Sequence, residues 1–394
     1  MSRINYQEGY YDGQVNRNNK PDGYGIFHWN NGQKYEGYWK NDYMHGRGKY
    51  TFENGTYYVG EFFNNKFQGL GQIVYSDGGV YEGEFYNDNR HGTGIMTYSD
   101  GSRYEGEYRD DARNGSGVLY FKNGDVYEGK FKDDKFEGAG KYTYSDGKTY
   151  LGEFKGDYFE GVGQMKYVNG DVYEGQFKKD KLSGKGIYTF KSGGYYEGEF
   201  VDGNFHGIGY RKYSDGGYYE GEFKTDKMHG KGKYTYPSGS YYMGELVEGK
   251  FCGKGEMHYH NGYYYEGDWK DDLRNGKGYW LSPNKDTYEG DWKDDKMHGF
   301  GRYTYNSGGY YEGDFVNGKF CGYGECHWST GGKYVGEWAE DLRSGYGEMV
   351  YSTGEKYKGE WLNGKRHGFG EYTSVGGEVT YCEWKDDVMV NPQN

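Results

Sequence analysis

Residues 219–241 read YEGEFKTDKMHGKGKYTYPSGSY, and variants of this 23-residue stretch fill almost the whole chain. The pattern Tyr-x-Gly recurs in sixteen copies, the first at Tyr11 and the last at Tyr357. After one step of 24 residues, every step is 23 residues. Self-similarity at a fixed period of this length is typical of repeat proteins. Because the register never slips, the array leaves no room for an inserted domain.

Within the repeat, apolar and polar residues alternate with a period of two, which is the pattern of a half-buried β-strand. With Tyr219 as position 1, Tyr219, Gly221 and Phe223 point to one face, and the charged residues between them point to the other. In a second strand, Tyr234 and Tyr236 share a face. The sequence therefore predicts an all-β fold, an elongated single-layer antiparallel meander of tandem 23-residue β-hairpin repeats, twisted into a trough-like rod.

Glycine and charged residues recur at fixed positions for which we expect structural roles. Glycine stands at position 3 of every repeat, where a neighbouring ring can lie over the bare backbone. Glutamates at positions 2 and 4 and lysines at positions 6 and 15 are expected to form cross-strand pairs, each contributing roughly 0.2–1 kcal/mol. Glycines in the two turns are expected to supply positive φ angles.

The pattern divides the chain into three parts. Residues 1–10 form an N-terminal segment, residues 11–379 form the sixteen repeats, and residues 380–394 form a decayed half-repeat and a C-terminal tail. Each repeat is expected to contact mainly its neighbours, so that stability adds up along the array.

Composition excludes several classes of protein. Only 34% of residues are hydrophobic, and many of these are the 52 tyrosines, so a large globular core is excluded. Aromatic residues at 21% are too many for a disordered chain. The formal net charge of −13 opposes binding to nucleic acids and to anionic membranes. No apolar stretch approaches the roughly 20 residues of a membrane span, and four cysteines make no disulfide framework, so a soluble intracellular protein is expected.

Two repeats depart from the pattern inside the array. In repeat twelve, Ser282 replaces the aromatic residue of position 18, and Lys285 replaces the glycine of position 21. These changes fit either a bend in the rod or a slightly altered loop. In repeat nine, Arg211 replaces a core residue at position 16, and we expect it to snorkel at an edge.

Position 11 holds histidine or cysteine in eight repeats, and both residue types bind metals. Equivalent residues of successive hairpins lie about 10 Å apart, which is two strand spacings and too far for one metal site. We therefore expect turn residues, with no metal and no cofactor. The Gly-x-Gly pair does not lead from a strand into a helix, and no catalytic residues are predicted. The position-11 residues are His45, His91, His206, His229, Cys252, His298, Cys321 and His367.

The aromatic face is the remaining candidate site. A single-layer sheet does not bury one face unless a partner covers it, so some rings are expected to be accessible. Exposed aromatic surface of that extent marks an interaction site, and an extended peptide or a helix lying in the trough fits it. The candidate groove aromatics at position 5 are Trp39, Phe62, Phe85, Phe131, Phe154, Phe200, Phe223, Trp269, Trp292, Trp338 and Trp361.

The decayed half-repeat offers a second candidate surface. Trp384 is retained there, and Val388, Met389 and Val390 follow it. The terminal strand of a meander is an open edge that pairs readily with another chain. The sequence therefore indicates a self-association edge at these four residues, with a simple frayed cap as the alternative.

The unit YEGEFKTDKMHGKGKYTYPSG resembles the MORN repeat, the membrane occupation and recognition nexus. Tyr-x-Gly-x-aromatic, the glycines at positions 12 and 14 and the terminal glycine recur in register from about Tyr11 to Trp384. MORN repeats occur in junctophilins, plant phosphatidylinositol phosphate kinases, alsin, radial-spoke head proteins and protozoan cytoskeletal scaffolds. A chain built of these repeats alone is most similar to the last two, and the resemblance implies self-association through the C-terminal repeats.

Three functions follow as expectations. The first is a non-enzymatic scaffold for protein–protein interactions in a cytoskeletal or ciliary assembly, such as an axoneme or a radial spoke, acting as a homodimer or as part of a larger assembly. The second is a phospholipid-binding membrane tether, which the net charge disfavours. The third is the targeting subunit of an enzyme complex whose catalytic part is another chain.

Overall fold

The computed structural model describes residues 2–393, and every regular element in that range is a β-strand. Its contacts divide the chain into two compact units, one of Met1–Lys191 and Phe200–Gly203 and the other of Ser192–Glu199 and Asn204–Asn394.

The first unit contains seventeen complete strands. They are β1 (Ser2–Tyr6), β2 (Gly9–Val15), β3 (Pro21–Trp29), β4 (Lys34–Lys40), β5 (Tyr43–Thr51), β6 (Tyr57–Phe63), β7 (Lys66–Val74), β8 (Val80–Tyr86), β9 (Asn89–Thr97), β10 (Arg103–Arg109), β11 (Ala112–Tyr120), β12 (Val126–Lys132), β13 (Lys135–Thr143), β14 (Thr149–Lys155), β15 (Tyr158–Lys166), β16 (Val172–Lys178) and β17 (Lys181–Thr189).

Strand β18 (Tyr195–Val201) has residues in both units, and the second unit contains the remaining strands. They are β19 (Asn204–Lys212), β20 (Tyr218–Lys224), β21 (Lys227–Thr235), β22 (Tyr241–Val247), β23 (Lys250–His258), β24 (Tyr264–Lys270), β25 (Leu273–Leu281), β26 (Thr287–Lys293), β27 (Lys296–Thr304), β28 (Tyr310–Val316), β29 (Lys319–His327), β30 (Lys333–Ala339), β31 (Leu342–Val350), β32 (Lys356–Leu362), β33 (Lys365–Thr373), β34 (Val379–Lys385) and β35 (Val388–Gln393).

Within each unit, every strand pairs antiparallel with the next strand along the chain, from β1 to β17 and from β19 to β35. The predicted all-β meander of antiparallel hairpins is confirmed. The N-terminal segment adds a strand that the repeat pattern did not predict, because Ile4 of β1 lies opposite Tyr11 in the register.

Two kinds of turn close the hairpins. The turn after position 6 places two residues at positive φ, as at Asp110 (51°) and Asp111 (68°), which is the type I′ geometry of tight hairpins. The turn after position 18 places one glycine there, as at Gly147 (94°). Glycine was expected in both turns. In the first turn, aspartate and asparagine take that place in most repeats because their short side chains tolerate the left-handed region.

A bulge interrupts the hairpins that the first kind of turn closes within the repeats, and the strict alternation of the sequence pattern did not predict it. In repeat six, Gly129 lies opposite Gly140 and Phe131 opposite Phe136, so that one residue on the first strand faces three on the second. Gly138, at position 12, lies inside the bulge with φ at 72°. Because the second strand has two more residues than the first between these pairs, the alternation is preserved, and position 10 lies on the same face as positions 1 and 5, which we call the tyrosine face.

The core of each unit is a row of position-1 tyrosines. In repeat seven, the ring of Tyr150 is fully buried and stacks on Phe159 with ring centroids 3.9 Å apart, with the edges of Phe154 and Phe177 at 5.2 Å and 4.9 Å. Its hydroxyl donates to the Glu153 carbonyl at 2.8 Å. Each tyrosine thus contacts its own hairpin and the next one, and this packing propagates along the unit.

The glycine pair beneath each tyrosine makes room for that ring. Gly152 at position 3 lies opposite Gly163 at position 14. A Cβ atom on Gly152 would lie 2.5 Å from the Tyr150 hydroxyl, and one on Gly163 would lie 2.6 Å from the ring. The tyrosine ring therefore packs over bare glycine backbone, as predicted.

Repeat twelve keeps the regular turn. The Ser282 amide donates to the Asp286 carbonyl at 2.9 Å, and the Lys285 amide donates to the Ser282 carbonyl at 3.0 Å, as in the neighbouring repeats. Lys285 adopts the positive φ of the missing glycine at 73°. Of the two interpretations, the local geometry supports the altered loop.

Arg211 is the penultimate residue of β19 and lies opposite Tyr219. Its guanidinium lies 5.7 Å from the ring centre of Phe205 and 5.3 Å from that of Tyr213. The side chain is half-buried among rings of the tyrosine face, so the expectation of a snorkelling edge residue is wrong.

Candidate functional site

The position-5 rings are packed into the tyrosine face and not exposed along it. The eleven predicted groove aromatics have exposed fractions between 1% and 7%. The sequence analysis assumed that a single layer leaves such rings open, but adjacent hairpins interlock their rings and cover one another. These residues are Trp39, Phe62, Phe85, Phe131, Phe154, Phe200, Phe223, Trp269, Trp292, Trp338 and Trp361.

A groove nevertheless lies on the tyrosine face, formed mainly by positions 10, 16 and 18. One cavity of about 690 Å³ in the second unit is lined by Tyr236 and Tyr259 of position 18, Phe251 of position 10 and Met257 of position 16. Trp269 also contributes to this lining, so a position-5 ring reaches the cavity while staying almost fully buried.

Two further cavities are lined by residues of the same kind. One of about 580 Å³ is lined by Tyr305, Phe320, Trp328 and Arg343, and the exposed fractions of Tyr305 and Trp328 are 37% and 36%. Another of about 530 Å³ lies in the first unit, where position-18 and position-10 rings line it. The accessible aromatic surface of the groove thus lies mainly at position 18 and not at position 5.

Position 8 joins neighbouring repeats across the tyrosine face. Oδ1 of Asp157 accepts a hydrogen bond from the Phe136 amide at 2.8 Å, and the Asp157 amide donates to the Phe136 carbonyl at 3.2 Å. We call this contact of a position-8 carboxylate with the position-10 amide of the preceding repeat the aspartate latch. Aspartate recurs at position 8 in the sequence, and that was the available signal for it.

The face opposite the tyrosines carries acidic side chains that cap the bulge. Oε1 of Glu337 at position 4 accepts the Tyr346 amide at 3.1 Å, and Oδ2 of Asp291 accepts the Phe300 amide at 3.2 Å. The acids of position 4 were expected to pair with lysines at positions 6 and 15. Instead, they bind main-chain amides of position 13, with ion pairs to position 13 such as Lys277–Asp291 at 2.7 Å.

Four successive repeats expose an aromatic ring on this opposite face. Phe300, Tyr323, Tyr346 and Phe369 stand at position 13, and more than half of each side chain is exposed. The sequence analysis did not single them out, although their 23-residue spacing is visible in the sequence.

The histidines and cysteines do not gather into a metal site. No group of three or more potential ligands occurs among the residues that the structure describes. His298 lies opposite Asp291 beside the bulge, so position 11 is a bulge residue and not a turn residue. Burial raises the pKa of the Cys326 thiol to about 11, which keeps this thiol protonated and unreactive at neutral pH.

At the C-terminus the four predicted edge residues separate into two kinds. Trp384 is buried beneath Arg366, whose guanidinium lies 3.8 Å from the indole ring. Val388, Met389 and Val390 are exposed on β35. Self-association through this strand stays a prediction.

A family model for the MORN repeat matches sixteen segments of the chain, at residues 11–34, 35–57, 58–80, 81–103, 104–126, 127–149, 150–172, 173–195, 196–218, 219–241, 242–262, 265–287, 288–310, 311–333, 334–356 and 357–379. The chain belongs to the MORN-repeat family. Its MORN repeats place it among repeat scaffolds, since each repeat is a structural unit that stacks on its neighbours. No curated protein matches this MORN-repeat chain.

Solved structures resemble the chain only weakly. The TCP10 domain of Danio rerio CPAP has 16% identity and a TM-score of 0.29, over 50% of this chain and 92% of that domain. The TCP domain of Drosophila melanogaster SAS-4, in complex with a proline-rich motif of Ana2, has 13% identity and a TM-score of 0.26, over 40% of this chain and 85% of that domain. Staphylococcus aureus virginiamycin B lyase has 12% identity and a TM-score of 0.12, over 71% and 90%. Nothing about function follows from TM-scores this low.

No helix long and apolar enough to cross a membrane occurs among the described residues.

Proposed function

We propose that this MORN-repeat protein is a non-enzymatic scaffold that holds partner polypeptides in the groove of its tyrosine face. The observation that carries the proposal is the series of cavities of about 530 to 690 Å³, each lined by position-10 and position-18 rings. Aromatic rings bury a large area at small entropic cost, and an open groove lined by them suits an extended peptide or an amphipathic helix. The partner is a protein, bound without cofactor or metal.

The setting that we propose for this scaffold is a cytoskeletal or ciliary assembly. The support is the resemblance of its tandem MORN repeats to those of protozoan scaffolds and radial-spoke head proteins. The net charge of −13 supports a protein partner over a nucleic acid or an anionic membrane, because both of the latter need positive surface.

A photo-crosslinking amino acid placed on either face of one repeat tests the groove. Tyr236 of position 18 lines the cavity of about 690 Å³. Lys231 of position 13, in the same repeat, is exposed on the opposite face and lines a cavity of about 1040 Å³ there, so the two probes compare the two faces directly. We expect irradiation of native cells to join a partner polypeptide to the probe at position 236 and not to the probe at position 231. Crosslinks at position 231 alone would contradict the proposal.

Detergent fractionation of the native cell, followed by mass spectrometry of the bound material, tests the setting. A scaffold of this kind stays with the detergent-insoluble cytoskeleton, and the bound proteins identify the assembly. Release with the membranes, together with stripping by salt, would indicate the phospholipid tether. A catalytic chain that co-purifies with constant stoichiometry would indicate the targeting subunit.

We further propose that the scaffold self-associates through β35. An edge strand offers unpaired main-chain groups, and the exposed side chains of Val388, Met389 and Val390 favour contact with another chain. Truncation after Gly376 is expected to convert a dimer into a monomer in analytical ultracentrifugation, as is the milder change Val388→Lys. A dimer that survives the truncation would rule this edge out.

A further inference from the structure

Five repeats carry arginine at position 10, and four of these arginines are neutralised by the aspartate latch of the next repeat. In repeat twelve, Arg274 donates to Oδ1 of Asp295 from its amide and from Nε, each at 3.0 Å, and Nη2 donates to the Asp295 carbonyl at 2.9 Å. The four pairs, with their Nε–Oδ1 distances, are Arg90–Asp111 at 3.2 Å, Arg113–Asp134 at 3.0 Å, Arg274–Asp295 at 3.0 Å and Arg366–Asp387 at 3.2 Å.

Arg343 is the fifth of these arginines, and glycine stands at position 8 of the repeat that follows it. Nη2 of Arg343 still donates to the main-chain carbonyl of Gly364 at 2.7 Å, and Nη1 lies 3.9 Å from Sδ of Met349. The guanidinium lies 4.1 Å from the ring centre of Trp361. Within residues 2–393, no carboxylate lies within ion-pair distance of Arg343.

The other junctions with glycine at position 8 do not contain this combination. Gly203, Gly249 and Gly318 follow Leu182, Met228 and Met297, which are apolar. In the other repeats, a carboxylate is missing from position 8 only where the preceding repeat has an uncharged residue at position 10. Repeat fifteen keeps the cation without its aspartate.

The place where the carboxylate would lie opens into a cavity of the groove. Arg343 and Gly364 both line the cavity of about 580 Å³, together with Trp328 and Trp338. Burial lowers the pKa of the Arg343 guanidinium, and the charge of Asp387, which pairs with Arg366, opposes this shift only in part. A half-buried cation without a carboxylate is costly, and an anion from a partner would offset that cost.

The corresponding cavity of repeat twelve is the internal reference. There, Arg274 and Asp295 both line the cavity of about 690 Å³, and the cation is already paired. The two cavities therefore share a position-10 arginine and a lining of aromatic rings, and they differ in one carboxylate.

We propose that Arg343 binds the carboxylate of an aspartate or glutamate side chain from an apolar segment of a partner polypeptide, in the place that a position-8 aspartate holds in the other four arginine repeats. This inference rests on the proposed function and specifies the chemistry of the partner. Arginine N–H groups make strong charge-assisted hydrogen bonds to carboxylates. In the four latches of this chain, Nε and the main-chain amide of the arginine donate to one carboxylate oxygen, while Nη2 donates to the main-chain carbonyl.

The surroundings favour a singly charged carboxylate over a phosphate. Asp341 lines the same cavity, and its Oδ1 accepts the Phe320 amide at 2.8 Å. A second negative charge on the ligand would lie near this carboxylate and be repelled. The half-exposed rings of Tyr305 and Trp328 border the site and suit apolar residues on either side of the acidic one.

Three single substitutions of the full chain test the site. Arg343→Met removes the cation. It places methionine at position 10 before glycine at position 8, a combination that the chain already contains twice, at Met228 with Gly249 and at Met297 with Gly318. The fold should therefore be preserved. Gly364→Asp supplies the missing carboxylate from within the chain. The φ angle of Gly364 is 79°, the same as that of Asp42, and a Cβ atom on Gly364 would meet only Leu342 Cδ2, at 3.7 Å. Asp295→Gly removes the carboxylate from the reference cavity.

The probe is a library of short random peptides selected on the full-length chain. We expect the enriched peptides to carry an acidic residue flanked by apolar residues. One enriched peptide is then compared with its variant in which the acidic residue is replaced by its amide. Because hydrogen bonds between charged groups are strong, we expect Arg343→Met and Gly364→Asp each to weaken binding by about tenfold or more. Asp295→Gly should create a second site for the same peptide.

The amide variant separates this inference from the proposed function. On the unmodified chain it should bind about tenfold more weakly, and on Arg343→Met it should bind as the acidic peptide does. Enriched peptides whose affinity is the same on both chains would leave the groove as a peptide site and overturn the role of Arg343. A chain that enriches no peptide would overturn both. Circular dichroism and thermal unfolding of each variant confirm that the fold is retained.

Discussion

Tyr334 and Tyr346 belong to the same repeat, yet one is fully buried and the other is 52% exposed. The ring of Tyr334 lies over Gly336 and Gly347, and its hydroxyl donates to the Glu337 carbonyl at 3.0 Å. Tyr346 follows the glycine of the bulge and stands on the opposite face. The difference shows that the backbone beneath a ring decides its role, because only the glycine pair lets a tyrosine lie flat against the sheet.

The buried tyrosines make the two faces respond differently to alkali, and this is the largest effect that we expect. Burial raises the pKa of Tyr11 and of Tyr196 to about 12 from an ordinary value of 10.0. The folded state therefore favours the neutral phenol. Stability from these groups is present below pH 10 and is lost as the pH rises from there through about 12. We expect cooperative unfolding in this window, measured by circular dichroism together with tyrosinate absorbance.

Because the position-1 tyrosines are buried, the circular dichroism and the tyrosinate absorbance should change together. If all of the tyrosinate absorbance developed while the circular dichroism stayed native, the position-1 rings would be accessible to base, and the comparison between the faces would be wrong.

Truncating the two tyrosines of repeat fifteen tests the comparison directly. Tyr334→Ala removes a buried ring that contacts Trp338 and Trp361 at 5.2 Å and 5.3 Å, and we expect a loss of about 4 kcal/mol in the free energy of unfolding. Tyr346→Ala removes an exposed ring and should change it by less than about 0.5 kcal/mol. Urea unfolding of both variants measures the difference, and equal effects would contradict the burial of Tyr334.

The glycine pair is tested by adding one methyl group. Gly163→Ala forces a Cβ to within 2.6 Å of the Tyr150 ring, and we expect it to cost about 2 kcal/mol through local displacement. Gly376→Ala is the control, because its Cβ would meet only the Ser374 hydroxyl at 3.8 Å and its φ is not positive. Hydrogen exchange should show faster opening of repeat seven and of its neighbours alone. An unchanged exchange pattern would mean that the ring moves aside freely.

The smallest effect is expected from the four exposed rings of position 13. Replacing Phe300, Tyr323, Tyr346 and Phe369 together by serine should change the stability by about 1 kcal/mol or less, because each ring is more than half exposed. Thermal unfolding measures this. Crosslinking of a partner to the probe that replaces Tyr236 should be unaffected. Loss of this crosslinking in the serine variant would show that the opposite face carries the binding surface.

Much of the fold was predictable from the sequence because the same pattern recurs in sixteen repeats. The alternation in YEGEFK places Tyr219 and Phe223 on one face, and the glycine at position 221 indicates the close approach of a ring. These features depend on local geometry, which a single repeat contains. The hairpins, their register and the burial of position 1 follow from it.

The bulge and the aspartate latch were not predictable by the same reasoning. The glycine of position 12 does not show that the second strand has two extra residues, because a bulge depends on how that strand pairs with the first one. The latch joins Arg274 to Asp295, which are 21 residues apart in two different repeats. The extent to which the position-5 rings are covered also depends on the next repeat. Within one unit, the sequence therefore indicates rings such as Trp361 as the lining of a groove, although a neighbouring repeat covers them.

The strictly sequential pairing of strands has a consequence for folding kinetics. Among the described hairpins the most distant partners are Gly9 and Trp29, and the aspartate latch joins residues 21 positions apart. All-β proteins fold slowly when their pairings join distant parts of the chain, but here nearly every contact is local. Each hairpin can dock on its predecessor as it leaves the ribosome, so this β-protein should fold at the rates of helical proteins and leave few unpaired edges exposed during synthesis.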